Sequence, residues 1–363
     1  MNTLLKNSVV AATLILASST LMNCDKKQAV QKESEIAITT KNDIDFTILD
    51  KIETRKPLVF ITGYDKGNET FYNNARSVFQ EKQFEIVEDQ YSLEEIINWL
   101  NTNATDKAYG EIHIVNKSDP HRGMSLETTI KGETVSTESL RRSITKGTLP
   151  FLNESVNADS KIIFHANGLG ENTALMKTFK DAFCSDELPN VIASPYHSIF
   201  DGEFTKHYLA KPYYVYYPTA HSPGKVDLSK EIAKKYTEEK DIDWLEALNN
   251  TEERFVGEAY TKQFTIPIQF SLDYHNSDDE VPTFDGQDEL MDFIEQQESL
   301  ISQVKKLNIP IEKYRWTYNL KNSTLVIKGK TSVVCVLKPL IRPYGELQHI
   351  QPDTNNKRLY AMK

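Results

Sequence analysis

Residues 161–172 read KIIFHANGLGEN, and their reading decides the fold class. Ile162, Ile163 and Phe164 form an apolar run of the length of a buried strand. His165 and Ala166 close it, and Asn167-Gly168-Leu169-Gly170 turns the chain. The following ENTALMKTFKDAF carries apolar residues at helical spacing. Strand, glycine turn and helix make the unit of a parallel α/β sheet, and its turn is where such sheets gather ligands and nucleophiles. Here that turn presents an asparagine.

The segments on either side repeat the unit. KPLVFITGYD, FEIVED and GEIHIVNK are strand candidates, separated by helical patterns in NETFYNNARSVFQEK and SLEEIINWLNTN. Ser92 with Glu95 three residues on predicts a capping box at the second helix. SLETTIKGETVS reads as a hairpin turning at Lys131-Gly132, TESLRRSI as a short helix, and PNVIASPYHSIF as one more apolar strand. The expectation over 56–205 is an α/β domain: a mostly parallel sheet with helices on both faces.

Beyond residue 205 the pattern changes. KPYYVYYP is an aromatic strand whose first explanation is core packing, and DLSKEIAKKYTEEKDIDWLEALNN holds two helical segments. FTIPIQFSLDYH alternates, with Phe264, Ile266, Ile268, Phe270, Leu272 and Tyr274 on one side. Pro267 on the other side predicts an edge or a bulge. A helix over about 286–307 precedes three strands, YRWTYNL, TLVIKG and SVVCVLKPL, expected as an antiparallel meander. VIKGKTS between the last two lacks the first glycine of a phosphate loop and reads as a hairpin turn. Residues 206–363 are thus expected as a C-terminal α+β extension or subdomain.

The N-terminus carries an address. Lys6 precedes the apolar SVVAATLILASSTLM, too short to span a bilayer, and LMNCDKK follows. This resembles a bacterial lipoprotein signal over 1–23, in which Cys24 receives the lipids and becomes the new N-terminus. Asn23 departs from the small residue usual there. Plain secretion with cleavage near Ala17–Ser19 is the alternative. The resemblance implies a membrane anchor at Cys24 in the bacterial envelope, with Asp25 favouring the outer membrane. Polar residues 24–55 read as a tether. Cys184 and Cys335 either pair or stay as buried free thiols. The formal charge of −10 argues against a nucleic-acid partner. Lacking a Cys-His cluster, the sequence predicts no metal and no cofactor. DYHNSDDE, from Asp273 to Glu280, lacks EF-hand spacing and reads as an acidic loop.

GEIHIVNKSDPHRGMSL and SKIIFHANGLGENTALMKTF…NVIASP resemble the third and fourth strands of caspase/gingipain-like (clan CD) cysteine peptidases. The likeness spans about 57–200 and rests on layout. It implies a histidine base after the third strand and a cysteine nucleophile after the fourth. This sequence has Asn116-Lys117 and Asn167 at those places. An amide supplies neither thiolate nor proton acceptor, so the expectation is a scaffold without its catalytic dyad. The vacated cleft would bind a protein, peptide or glycan through Asp119, His121, Arg122, His165, Asn167, Gly168 and Gly170. Two alternatives stay open: a non-cysteine hydrolase built on Asp119, His121 and His165, and an active peptidase of the same clan. For His165 alone, a hydrogen-bonded strand histidine is the simpler reading, and for Gly168 and Gly170 the turn itself.

Overall fold

The computed structural model describes residues 55–63, 70–200, 202–219, 222–274, 281–321, 323–342 and 347–363. The segment expected as a lipoprotein signal, Cys24 and all of the expected tether but Arg55 lie outside these residues, as do 275–280 of the acidic stretch. No helix among the described residues is long and apolar enough to cross a membrane.

The expected alternation is present from the first strand. β1 (Leu58–Ile61) leads to α1 (Thr70–Glu81), β2 (Glu85–Val87), α2 (Leu93–Thr102) and β3 (Glu111–Val115). A two-residue-strand hairpin, β4 (Ser118–Asp119) with β5 (Gly123–Met124), precedes α3 (Thr137–Thr145). β6 (Lys161–His165), α4 (Thr173–Ala182) and β7 (Asn190–Ala193) complete the pattern. Ser92 and Glu95 form the expected capping box, and Asn172 caps α4 by accepting from Leu175 N at 3.0 Å. Lys131 (φ 58°) and Gly132 turn the hairpin before α3, closed by Thr128 N donating to Glu133 O at 2.9 Å.

Strands β2, β1, β3, β6 and β7 pair in that order, all parallel. Leu58, Phe60, Ile112, Ile114, Ile162 and Phe164 face α2, α3 and α4, which contribute Ile96, Leu100, Leu140 and Phe179. Each such side chain, taken fully out of water, contributes about 1.5–3 kcal/mol. The alternate residues Val59, Ile61 and Val115 face α1 through Tyr72, Ala75, Val78 and Phe79. Helices therefore cover both faces, as expected. On α1's side they cover only half of it, because Ile163 and Ile192 pack instead on Leu209 and the C-terminal Leu359 and Tyr360.

That covering comes from a second, antiparallel, curled sheet. It is built from β8 (His197–Phe200), β9 (His207–Pro218), β10 (Tyr260–Asp273), β11 (Arg315–Lys321) and β12 (Thr324–Pro339). α5 (Lys225–Lys235) and α6 (Trp244–Asn249) pack on one face through Ile232, Trp244 and Tyr213. α7 (Gln287–Gln296) and α8 (Glu298–Lys306) pack on the other through Ile294, Val304 and Trp316. β13 (Ala361–Met362) returns to the first sheet, antiparallel to β7.

Three expectations need correction. PNVIASPYHSIF is two strands in different sheets, because Ser194-Pro195-Tyr196 redirects the chain between β7 and β8. The helix over 286–307 is two helices, broken where Gln297 takes an extended conformation (φ −97°, ψ 102°). VIKGKTS is no turn: it lies inside the 16-residue β12, bonded to β10 along its length and to β11 and then β9 on its other side. Gly329 belongs there because a Cβ would come within 2.5 Å of the Trp316 ring laid across it.

β10 is an edge strand, the first of the two readings, edge or bulge, that Pro267 left open. Thr261 N donates away from the sheet to Asn250 O at 2.8 Å, and regular pairing places Pro267 in the same orientation. Its missing N–H thus costs no ladder bond. The YYVYY stretch is interior, with Tyr213, Val215, Tyr216 and Tyr217 all buried.

Candidate functional site

The strand order β2-β1-β3-β6-β7 reverses direction between β1 and β3, and open α/β sheets bind ligands beyond the carboxyl ends of the strands at such a point. The sequence-derived candidates all lie along this edge. Asn116, fully buried, follows β3. Its Nδ2 donates to Thr62 Oγ1 at 2.8 Å, and its Oδ1 accepts from Ser125 N at 3.1 Å. Beside it, Tyr72 Oη accepts from Lys117 N at 2.9 Å, and the Tyr72 ring occupies the space a side chain at Gly63 would need. Asn116 thus ties the end of β1 to the chain after β5.

Asn167 does the corresponding work after β6. Its Oδ1 accepts from Ser198 N at 3.1 Å, and its carbonyl accepts from Ser118 Oγ at 3.2 Å. Gly168 takes a left-handed conformation (φ 73°) that glycine adopts without strain. The N–H groups of Gly168 and Gly170 donate to Tyr196 O and Ser194 O at 3.3 and 2.9 Å, so neither is left to hold an anion. A Cβ at Gly170 would meet the backbone of 193–195 at 2.6 Å.

The polar cluster of the β4–β5 hairpin is bound to the second sheet. Asp119 Oδ1 accepts from the backbone N–H of both His121 and Arg122, at 2.9 and 2.8 Å. Arg122 donates to Thr265 O on the free edge of β10. His121 is buried rather than solvated: Nδ1 donates to Leu307 O at 2.8 Å, and the ring meets Tyr214 and Tyr216 edge-on. Burial holds its pKa below the ordinary value.

His165 lies in a different environment. It is buried and stacks on His113, with ring centroids 5.2 Å apart and Nε2 at 2.8 Å from His113 Nδ1. Glu111 Oε2, 3.7 Å from His113 Nε2, favours a proton on that nitrogen. His113 Nδ1 then accepts from His165 Nε2, and His165 Nδ1 is left buried without a partner. His207 closes the group, 5.5 Å from His165 and stacked on Phe200 at 4.4 Å. Burial lowers the pKa of all three, with His207 brought to about 3, so each ring is neutral at pH 7. The rings around His121 are Tyr214 and Tyr216, and those around His165 are Phe79, His113, Phe200 and His207. The hydrogen bonds of the two imidazoles lead to Leu307 O and to His113 rather than to each other or to the Asp119 carboxylate.

No family model, curated protein or solved structure matches the chain.

The geometry alone therefore bears on what this edge does. Nucleophilic catalysis needs a hydroxyl or thiol within hydrogen-bond reach of a base. Among the described residues, the one hydroxyl bonded to an imidazole is Tyr214, whose Oη lies 2.8 Å from His197 Nε2. Burial raises the Tyr214 pKa and brings that of His197 down to about 4. Cys184 and Cys335 are free thiols rather than a pair, and burial pushes the Cys335 thiol up to about 12. Groups of three or more His, Cys, Asp or Glu side chains able to hold a metal are absent from the described residues.

Two buried polar arrangements had no sequence signal. His207 opens an aromatic strand and gives no sign of joining His113 and His165. Glu253 Oε1 lies 2.8 Å from His349 Nε2 and accepts from Gly257 N at 2.5 Å, while His349 stacks on Tyr208 at 4.0 Å. The two residues are 96 positions apart. A lone Glu and a lone His in polar stretches are read as surface residues, and only the fold brings them together.

Proposed function

We propose that this protein is a non-catalytic member of the caspase/gingipain-like class, lipid-anchored in a bacterial envelope, acting by binding or assembly rather than peptide hydrolysis. The observation that carries this reading is the engagement of Asn116 and Asn167. The two positions at which the resemblance calls for base and nucleophile hold amides, and both amides tie chain segments together by hydrogen bonds. The His121, His165 and His113 rings support the same reading. They are buried and neutral, and none is bonded to a hydroxyl or thiol. The anchor rests on Cys24 following its apolar segment. Partners in this reading are the membrane and a protein, peptide or glycan.

The test uses the full chain purified in detergent and a broad fluorogenic peptide library. No turnover above a buffer blank is expected, and a double change Asn116→His with Asn167→Cys should not create it, because position 116 is fully buried and position 167 is turned onto the backbone of Ser198. Turnover by the unaltered chain that Asn167→Ala or His121→Ala abolishes overturns the proposal. For the anchor, Cys24→Ser should move the protein out of the membrane fraction of expressing cells. Unchanged fractionation would remove the lipid from the account.

A further inference from the structure

At the seam of the two sheets, His165 and His207 leave three ring nitrogens buried without a hydrogen-bond partner. They are Nδ1 of His165 and both nitrogens of His207. The residues are only 3% and 7% exposed. Buried polar atoms are nearly always paired, because an unpaired one forfeits its hydration for nothing in return. The hydrocarbon around the pair cannot answer them. Phe79 and Phe200 lie 5.3 and 5.8 Å from His165, and Phe200 stacks on His207 at 4.4 Å. Three unpaired nitrogens on two neighbouring rings mark the place of a ligand.

The contacts behind His165 decide which nitrogen offers a lone pair. Glu111 favours a proton on His113 Nε2, His113 Nδ1 accepts from His165 Nε2 at 2.8 Å, and His165 Nδ1 is left bare. An imidazole whose outer N–H is held by a polar partner, with its other nitrogen bare, has the arrangement of a metal ligand. His207 is set in place by the pairing of β9 with β8, in register with Phe200. The two ring centroids are 5.5 Å apart and the planes meet at 63°. Two imidazoles that bind one ion through nitrogens at about 2.0 Å hold their centroids about 5.5 Å apart when the ligand angle is about 120°.

Charge selects the ion. Among the described residues no carboxylate pairs with either ring, and Glu111 reaches the site only through His113. The other charged groups acting here are Lys82 and, at His113, Lys161. A divalent ion would bring a charge that this apolar, partly cationic setting does not offset. Neutral imidazoles suit copper, and Cu(I) is monovalent and content with few ligands.

We propose that His165, through Nδ1, and His207, through one ring nitrogen, bind a single Cu(I) ion that joins β6 of the first sheet to β9 of the second. His113 and Glu111 are positioning residues that orient His165 without touching the ion. The proposal is independent of the non-catalytic reading and stands whether or not the chain turns over a substrate.

The full chain in detergent is dialysed without oxygen against Cu(I) held as its acetonitrile complex, desalted, and assayed for copper. The unaltered chain should retain about one ion per chain more than His165→Gln or His207→Phe, the latter keeping the stack on Phe200. Cys24, Cys184 and Cys335 are common to all three proteins, so the difference excludes copper held on thiols. His197→Gln removes a buried imidazole that is bonded to Tyr214, and it should retain the ion. Cu(I) should raise the melting temperature of the unaltered chain by about 4 °C or more and leave that of the His165 and His207 variants within about 1 °C. Zn(II) offered in the same way should show less than about a tenth of the histidine-dependent binding. Equal copper in the unaltered chain and both variants, loss of the ion by His197→Gln as well, or equal binding of zinc overturns the proposal. Melts without copper confirm that each variant is folded.

Discussion

Asn116 joins three parts of the chain through one amide. It reaches Thr62 after β1 and Ser125 after β5 while its own backbone N–H donates to His165 O at 3.3 Å. Removing the side chain loses both of its bonds. The Thr62 hydroxyl still donates to Val115 O at 2.8 Å and Ser125 N to Lys117 O at 3.2 Å, so each loss costs only the net worth of a hydrogen bond, about 0.5–1.5 kcal/mol. Asn116→Ala should therefore lower stability by about 1–3 kcal/mol, read as a lower urea midpoint at unchanged slope. A loss below about 0.5 kcal/mol, the scale of an ordinary surface change, would show that the amide is not a structural tie. The sequence marks Asn116 and Asn167 as the residues standing where a dyad is expected. It does not show their partners, which lie 54 and 31 positions away. A single side chain carries its chemistry in the sequence, whereas its hydrogen-bond account is written by distant segments.

At the scale of elements, periodicity identified most strands and helices, and local glycine and lysine misled at one place. Lys328-Gly329-Lys330 looks like a turn, yet both neighbours pair across it and the strand continues to Pro339. Gly329 gives space to the Trp316 ring, which is only 2% exposed. Gly329→Ala forces that ring or Ile268 to move and should cost about 1–3 kcal/mol. Gly110→Ala is the matched control: nothing stands within 4 Å of a Cβ there, and its φ lies outside the left-handed region. Chemical denaturation should find that control within about 0.5 kcal/mol of the unaltered chain. Equal effects at the two glycines would show that Trp316 packing does not explain Gly329. The same lesson holds for PNVIASPYHSIF. Its apolar pattern is continuous because both halves are buried, and burial alone does not tell one sheet from another.

For the whole molecule, the seam between the two sheets carries a pH dependence. His113 and His165 come from β3 and β6 of the first sheet, His207 from β9 of the second, and His197 from β8. Burial lowers all four, to about 3 for His207 and about 4 for His197, whereas an unfolded histidine titrates near 6.5. Between those values the unfolded chain binds more protons than the folded one. Stability is therefore fully present above about pH 6.5 and is lost as the pH falls, by about 1.4 kcal/mol per pH unit for each of His197 and His207 down to their folded values. His113 and His165 act in the same direction. Melting temperatures recorded from neutral pH downward should fall steeply in the acid range. His207→Phe, which keeps the stack on Phe200, should flatten that slope. A flat profile for the unaltered chain, or an unchanged slope for the variant, would show that these rings do not set the acid limit.

The sequence by itself determined the class of the first sheet, its alternation of strands and helices, the choice of an edge or a bulge for the strand of Pro267, and the amides at 116 and 167. Those features are local: alternation, capping residues, turn chemistry and residue identity act within a few positions. Only the tertiary structure decided that β7 and β8 part into different sheets and that half of one face is covered by β9 and the C-terminal segment. It alone decided that the hairpin around His121 is bound to the second sheet rather than open to solvent. Burial, hydrogen-bond pairing and pKa belong to surroundings assembled from segments far apart in the chain, and no local pattern encodes which of those segments will meet.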